Sequence, residues 1–154
     1  MLRPSKETLN LTPDQCERAV RLAMRMRDDD SYVESPADLV DSWEEPDTTI
    51  DRDRKVKRFD QTEAYISPSA IVGSLGMSHR LERNRIKKIL GCMLNNEYEV
   101  EHSIPPSLQR RNDKFYVGSD GHHRCMVAKA IGLDELYVQY ETVPQELLVP
   151  SPKE

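Results

Sequence analysis

The fold is read from residues 114–132, KFYVGSDGHHRCMVAKAIG. Phe115-Tyr116-Val117 is a short aromatic and β-branched run that favours a strand. Gly118-Ser119-Asp120-Gly121 punctuates it and admits a tight turn with positive φ. Met126, Val127, Ala130 and Ile131 then recur at helical spacing, and Gly132 supplies a C-cap. The stretch therefore reads as strand, glycine turn and helix, with Gly121, His122, His123 and Arg124 at the helix mouth. A helix N-terminus presents unpaired N–H groups and the positive end of a dipole, so it attracts anions. Arg124 adds fork-shaped donors and the histidines add switchable ones. These residues support a phosphate site. They support equally a turn whose polar side chains cap the helix and face water.

Downstream, Leu136 to Tyr140 alternates as a closing strand, and the segment from Val143 to Glu154 reads as an extended tail. Upstream, Ser103 to Leu108 is extended, because Pro105 and Pro106 each restrict the residue before them. Gln109 to Asp113 reads as a polar turn that exposes Arg110 and Arg111. Before it, Ala64-Tyr65-Ile66 is strand-like and stops at Ser67-Pro68-Ser69. Ile71-Val72 leads into a flexible loop, Gly73-Ser74-Leu75-Gly76. A helix is expected from about His79, with Leu81, Ile86, Ile89, Leu90, Met93 and Leu94 on its apolar side and Arg80, Arg83, Asn84, Lys87 and Lys88 on a basic side. Gly91 within it costs about 1 kcal/mol relative to Ala, which points to close packing at that position. The basic side reads either as a solvated face or as a wall facing phosphate.

The first residues form an irregular lead-in. Thr12-Pro13-Asp14-Gln15 carries a helix start: Thr12 as N-cap, Pro13 at the first helical position and Gln15 in the capping-box position. Ala19, Val20, Leu22, Ala23 and Met26 continue an amphipathic helix to about Arg27, with Arg18, Arg21, Arg25 and Arg27 on its solvated face. Asp28-Asp29-Asp30 ends it without the ligand alternation of a calcium loop. A short helix is expected from Pro36 through Trp43, capped by Ser35. Glu44 to Arg54 has little to bury and reads as a linker. Trp43, the only tryptophan, serves as an anchor that docks this extension on the main domain. The expected organisation is a helical extension and linker over 1–54, an α+β domain over 55–144 and a tail over 145–154.

Composition bounds the function. The chain has 154 residues, 37% hydrophobic and 32% charged, enough for a modest core. It lacks a run of about 18 apolar residues, so no membrane span is expected. Its start has no apolar secretory core. The three cysteines, Cys16, Cys92 and Cys125, form no paired motif, which points to a reducing, cytoplasmic setting. A net charge of −5 argues against a surface that coats nucleic acid and leaves room for a local basic patch. His79, His102, His122 and His123 lack any zinc-type spacing, and no metal site is expected from them. Neither a GxSxG elbow nor a Walker loop is present.

The order strand, loop, basic helix, Pro-Pro segment, strand, D-G-H-H-R turn, A-x-x-x-G helix and strand resembles the ParB/sulfiredoxin superfamily over about residues 60–143. The residues that carry the resemblance are Ser67-Pro68-Ser69-Ala70-Ile71, Ile104-Pro105-Pro106, and above all Asp120-Gly121-His122-His123-Arg124 with Ala128 and Gly132. The resemblance implies a small mixed-sheet α+β fold that binds nucleotide phosphates at the helix following the turn. Sulfiredoxins use that place for ATP, partition proteins for CTP and free-serine kinases with a D-G-H-H-R motif for phosphoryl transfer. Carried over, His122, His123 and Arg124 would hold a nucleoside di- or triphosphate, with Gly121 letting the backbone approach. Arg80, Arg83 and Lys87 would neutralise charge from the facing helix, and Mg²⁺ would bridge the phosphates. Asp120 or Glu82 would be the catalytic acid or base, with Glu63 a further carboxylate to weigh.

Departures from the family narrow the choice. Sulfiredoxins need a nucleophilic Cys where this chain has His122, and an imidazole cannot form the required sulfur intermediate. Cys125 lies on the wrong side of the motif. Partition proteins continue into a helix-turn-helix region and a dimerisation domain, whereas this sequence ends soon after Gly132, which argues against operator binding of that kind. The leading expectation is a nucleotide-binding phosphotransferase or hydrolase. The alternative is a DNA-associated regulator or interaction module, a homodimer included, motivated by the run from Arg80 to Lys88. A third is a ParB-like nuclease dependent on Asp120.

Overall fold

The computed structural model describes residues 9–26, 32–33, 39–40, 42–51, 59–76, 81–99 and 104–150. Along the chain these form α1 (Pro13–Arg25), β1 (Tyr32–Val33), β2 (Thr48–Ile50), β3 (Gln61–Ile66), β4 (Ile71–Ser74), β5 (Leu81–Glu82), α2 (Arg83–Leu94), β6 (Ser107–Arg111), β7 (Lys114–Asp120), α3 (His122–Ile131), β8 (Leu136–Val143) and β9 (Leu148–Pro150). A five-stranded mixed sheet runs in the order β3-β8-β6-β7-β4. Its neighbouring pairs alternate in sense: β3 with β8 and β6 with β7 are antiparallel, whereas β6 with β8 and β4 with β7 are parallel. The fold is thus α+β, as the order of elements in the sequence implies.

The helices share one apolar core with the sheet. Leu22 of α1 and its C-cap residue Met26, Ile86, Leu90 and Met93 from α2, and Cys125, Val127 and Ile131 from α3 pack with Leu108, Phe115, Val117, Leu136 and Val138 of the strands. The start of α1 follows the capping-box chemistry: Gln15 N–H donates to Thr12 Oγ1 at 3.2 Å, and Thr12 N–H donates to Gln15 Oε1 at 3.0 Å. The same Gln15 amide then donates through Nε2 to Gly132 O at 3.0 Å, fastening the first turn of α1 to the end of α3. Gly132 closes α3 with φ 75°, and Leu133 N–H reaches back to Ala128 O at 3.0 Å. Trp43 docks as expected of an anchor. Its Nε1 donates to the buried Ser74 Oγ at 2.7 Å, and Lys129 Nζ lies 5.8 Å from its ring centre.

Several local expectations are overturned by long-range pairing. The Gln109–Asp113 turn is instead most of β6, a strand paired on both edges. Its polar residues are accommodated because Gln109 Nε2 donates to Glu141 Oε1 at 2.6 Å and Arg111 Nε donates to Gln109 Oε1 at 2.6 Å. The turn itself shrinks to Asn112 and Asp113, with Asn112 left-handed at φ 56°. Gly118 to Asp120 stay in β7, so only Gly121 makes the bend, at φ 99°. Gly73 and Ser74 lie in β4 rather than in a loop. A Cβ on Gly73 would come within 2.6 Å of the Glu44 carbonyl carbon, because Glu44 bridges to this strand. The linker from Glu44 contains β2, which pairs antiparallel with β9, so the tail also carries a strand. Of the expected helix from Pro36 to Trp43, residues 36–38 and 41 lie outside those described, as does its expected cap Ser35. Leu39 and Val40 form a turn and bend, and Trp43 is not helical. Helix α2 starts at Arg83, since Leu81 and Glu82 pair with β1. A Cβ on Gly91 meets no atom within 4 Å, so this glycine marks open space rather than close packing.

Candidate functional site

The glycine at the mouth of α3 is required by backbone geometry. With φ 99° it is in the left-handed region, and a Cβ there would lie 2.7 Å from Pro106 Cα and closer still to Pro106 Cβ. Pro106 is itself held, because its carbonyl accepts Gln139 N–H at 2.9 Å. The Pro-Pro segment and the D-G-H-H-R turn therefore meet at this contact. They turn the first residues of α3 toward the first turns of α2.

Between the two helices lies a cleft of about 440 Å³. Arg124 and His123 of α3 line it together with Gly121, opposite Arg85, Lys88, Ile89 and Cys92 of α2, and Tyr98 closes it. Among the described residues, Arg85, Lys88 and Arg124 thus converge where no side chain caps the N-terminus of α3. Arg124 is oriented from two directions. Its Nη1 donates to Ile104 O at 2.7 Å, and its guanidinium also donates to the Tyr98 hydroxyl. Tyr98 is buried, and desolvation pushes its phenol up to about 12 despite the opposing charge of Arg124. At neutral pH it is an uncharged acceptor that positions the guanidinium.

The expected site residues distribute unevenly. Gly121, His123 and Arg124 line the cleft. His122 is buried at the first position of α3, 8% exposed, and lines none of it. His123 is 7% exposed and is engaged by protein, since its Nε2 accepts the backbone N–H of Glu82 at 2.9 Å. Arg83 is directed away from the cleft: its Nη1 donates to Arg25 O at 2.9 Å, at the last turn of α1. Lys87 is exposed and falls outside the cleft lining, because the helical repeat turns residues 85, 88, 89 and 92 toward α3 and 87 away from it. Arg80 lies outside the described residues. Glu82 occupies the N-cap position of α2 without a side-chain cap bond and pairs with Arg85 at 3.0 Å, which puts its carboxylate beside the cationic wall. Asp120 ends β7 immediately before Gly121, and its backbone alone is described. Glu63 is exposed on β3 and does not line the cleft.

Sequence reasoning misses Arg85 and Tyr98, and it places Lys88 only on the general basic side of α2. The signal for the two cations is present: Ile86, Leu90 and Met93 fix the buried face of α2, and residues 85 and 88 flank it on the side that meets α3. Tyr98 carries none, as it follows the helix in an irregular segment. Among the described residues no group of three or more His, Cys, Asp and Glu side chains is gathered as a metal site. No helix among them is long and apolar enough to cross a membrane. Comparison with protein-family models, with curated proteins and with solved structures gives no match to this chain.

Proposed function

We propose that the cleft between α2 and α3 binds the phosphates of a nucleotide, and that phosphoryl transfer or nucleotide hydrolysis is the chemistry it serves. The observation that carries this reading is the convergence of Arg85, Lys88 and Arg124 on one cleft at the mouth of α3. Such chemistry needs positioning and charge neutralisation more than a covalent nucleophile. Arg124 offers a fork already oriented by Tyr98 and Ile104. Lys88 forms no ion pair among the described residues and brings a point charge from the other wall. Ile89, Cys92 and Tyr98 supply apolar and aromatic surface next to these charges, which suits a ligand with a flat organic body as well as an anionic end. Mg²⁺ would arrive with the phosphates and spread their charge. Glu82, held by Arg85, is the carboxylate beside the cationic wall and the nearest choice for a proton acceptor. The D-G-H-H-R resemblance supports the same assignment.

The test is a thermal-shift screen of the full chain against ATP, ADP, CTP and GTP, with and without Mg²⁺. A ligand at a hundred times its dissociation constant stabilises by about 2.7 kcal/mol, which such a screen resolves. Arg124→Ala and Lys88→Ala should each lose that stabilisation while keeping the circular dichroism of the parent. Unchanged nucleotide affinity in both variants would overturn the site.

A second reading, a DNA-associated module that holds a backbone phosphate in the same cleft, draws on the exposure of Arg85, Lys87 and Lys88 along α2. It requires an affinity for duplex DNA that falls steeply with salt.

A further inference from the structure

We infer that His123 is a positioning residue for α2 rather than a ligand of the bound anion, and that its neutral imidazole keeps the anion site assembled. The inference rests on the cleft being an anion site. A backbone N–H only donates, so the His123 Nε2 that accepts from Glu82 at 2.9 Å must carry a lone pair, and the proton sits on Nδ1. The acceptor has a particular place. Glu82 is the N-cap of α2, and its side chain makes no cap bond. In a capping box the residue three positions on would accept the N-cap N–H, and here that residue is Arg85, which has no acceptor. His123 fills the missing role from another helix. The bond thereby ties the first turn of α2, which carries Arg85 and leads to Lys88, to the first turn of α3, which carries Arg124. It sets the distance between the two cationic walls of the cleft.

Protonation would put a second hydrogen against the Glu82 N–H, so two donors would face each other and the tie would be lost. Among the described residues, the titratable and charged groups that line the cleft with this imidazole are Arg85, Lys88 and Cys92 of α2, Tyr98 of the following segment and Arg124 of its own helix; Glu82 and Arg83 stand at the tie itself, and His122 and Cys125 are near it on α3. The two roles for His123 differ in sign. A histidine that held phosphate as an imidazolium would strengthen anion binding as pH falls. A histidine that positions α2 through a lone pair weakens it, although positive charge has been added.

The experiment measures sulfate binding to the full chain by calorimetry between about pH 8 and pH 5, the range in which imidazoles change charge. Sulfate keeps both charges across that range, so the ligand does not titrate. Alongside, the Glu82 amide is followed by nitrogen-15 NMR. Sulfate affinity should fall toward acid by up to about tenfold per pH unit once the imidazole protonates, because only the neutral fraction is competent. The Glu82 amide should shift over the same interval. His123→Gln, whose amide oxygen can replace the ring nitrogen as acceptor, should keep the affinity seen near pH 8 and flatten the profile. Affinity that rises toward acid and disappears in His123→Gln would overturn the inference. If sulfate fails to bind at every pH, the anion-site reading falls, and the amide then decides the tie by itself. A Glu82 amide that titrates identically in the parent and in His123→Gln would overturn it.

Discussion

Replacing Gly121 by Ala tests the contact on which the site is built, and replacing Gly91 by Ala supplies its opposite. At Gly121 the substitution meets two obstacles. The backbone is left-handed at φ 99°, a conformation that costs an L side chain about 1–2 kcal/mol. The new methyl would also lie 2.7 Å from Pro106 Cα and closer to its Cβ. Pro106 cannot swing aside like a surface side chain, because its ring is rigid and its carbonyl accepts Gln139 N–H at 2.9 Å. Overpacking of this kind costs about 1–3 kcal/mol, so the total is about 2–5 kcal/mol. For a domain of this size each kcal/mol is worth about 2–4 °C, and the melting temperature should drop by about 4–20 °C. Gly91 sits within α2, and a methyl group there would meet nothing within 4 Å, so Ala should stabilise by about 0.5–1 kcal/mol through helix propensity. Thermal unfolding followed by circular dichroism measures both. An unchanged melting temperature in Gly121→Ala, or a loss in Gly91→Ala equal to that in Gly121→Ala, would refute the reasoning.

Thr12→Ala removes one half of the capping box at α1 and should cost about 1 kcal/mol, read from the denaturant midpoint. Trp43→Phe keeps an aromatic ring but leaves the 2%-exposed Ser74 hydroxyl without its indole donor, for a loss of about 1–3 kcal/mol in the same assay. Tyr98 makes stability pH-dependent on the alkaline side. Its folded value of about 12 lies above the ordinary tyrosine value, so the unfolded chain releases the proton first. The stabilisation is therefore complete below about pH 10 and declines through about pH 12, by up to about 1.4 kcal/mol per pH unit. Tyr98→Phe should remove that decline, and an alkaline stability profile identical in the parent and the variant would count against it.

What the sequence disclosed, and what it withheld, follows from the range of the forces involved. The start of α1 was legible because Thr12, Pro13 and Gln15 satisfy one another within four positions. The end of α3 was legible because Gly132 is the residue that tolerates φ 75°. The strand, turn and helix of residues 114–132 were legible for the same local reasons, although pairing with β6 carries β7 through Gly118 and leaves Gly121 alone to turn. The strand character of Gln109, Arg110 and Arg111 was not legible. Their side chains are polar, and only Glu141, Arg111 and two flanking strands make that position habitable. Strand β2 was hidden similarly, since its partner β9 lies about a hundred residues away, at a separation no local pattern reports.

The cationic cleft was half legible, and the division is instructive. Local sequence put Gly121, His123 and Arg124 at a helix mouth and a basic side on α2, but of that side it named Arg83 and Lys87 to face them, whereas among the described residues Arg85 and Lys88 line the cleft. The apolar residues of α2 define a buried stripe, and a helix has two flanks beside any such stripe. One flank carries Arg83 and Lys87, the other Arg85 and Lys88. The choice between them depends on what else binds α2. Helix α1 takes the first flank, with Arg83 donating to the Arg25 carbonyl at its last turn. Helix α3 takes the second, through the His123–Glu82 tie. The N-terminal helix therefore bears on the cleft without touching it. By drawing Arg83 toward its own end, α1 leaves Arg85 and Lys88 as the cations that face Arg124, and Gln15 fastens the far end of α3 at the same time. That is a physical reason for the helix to accompany the sheet: it packs on both α2 and α3 and so helps to hold the two walls of the cleft in register.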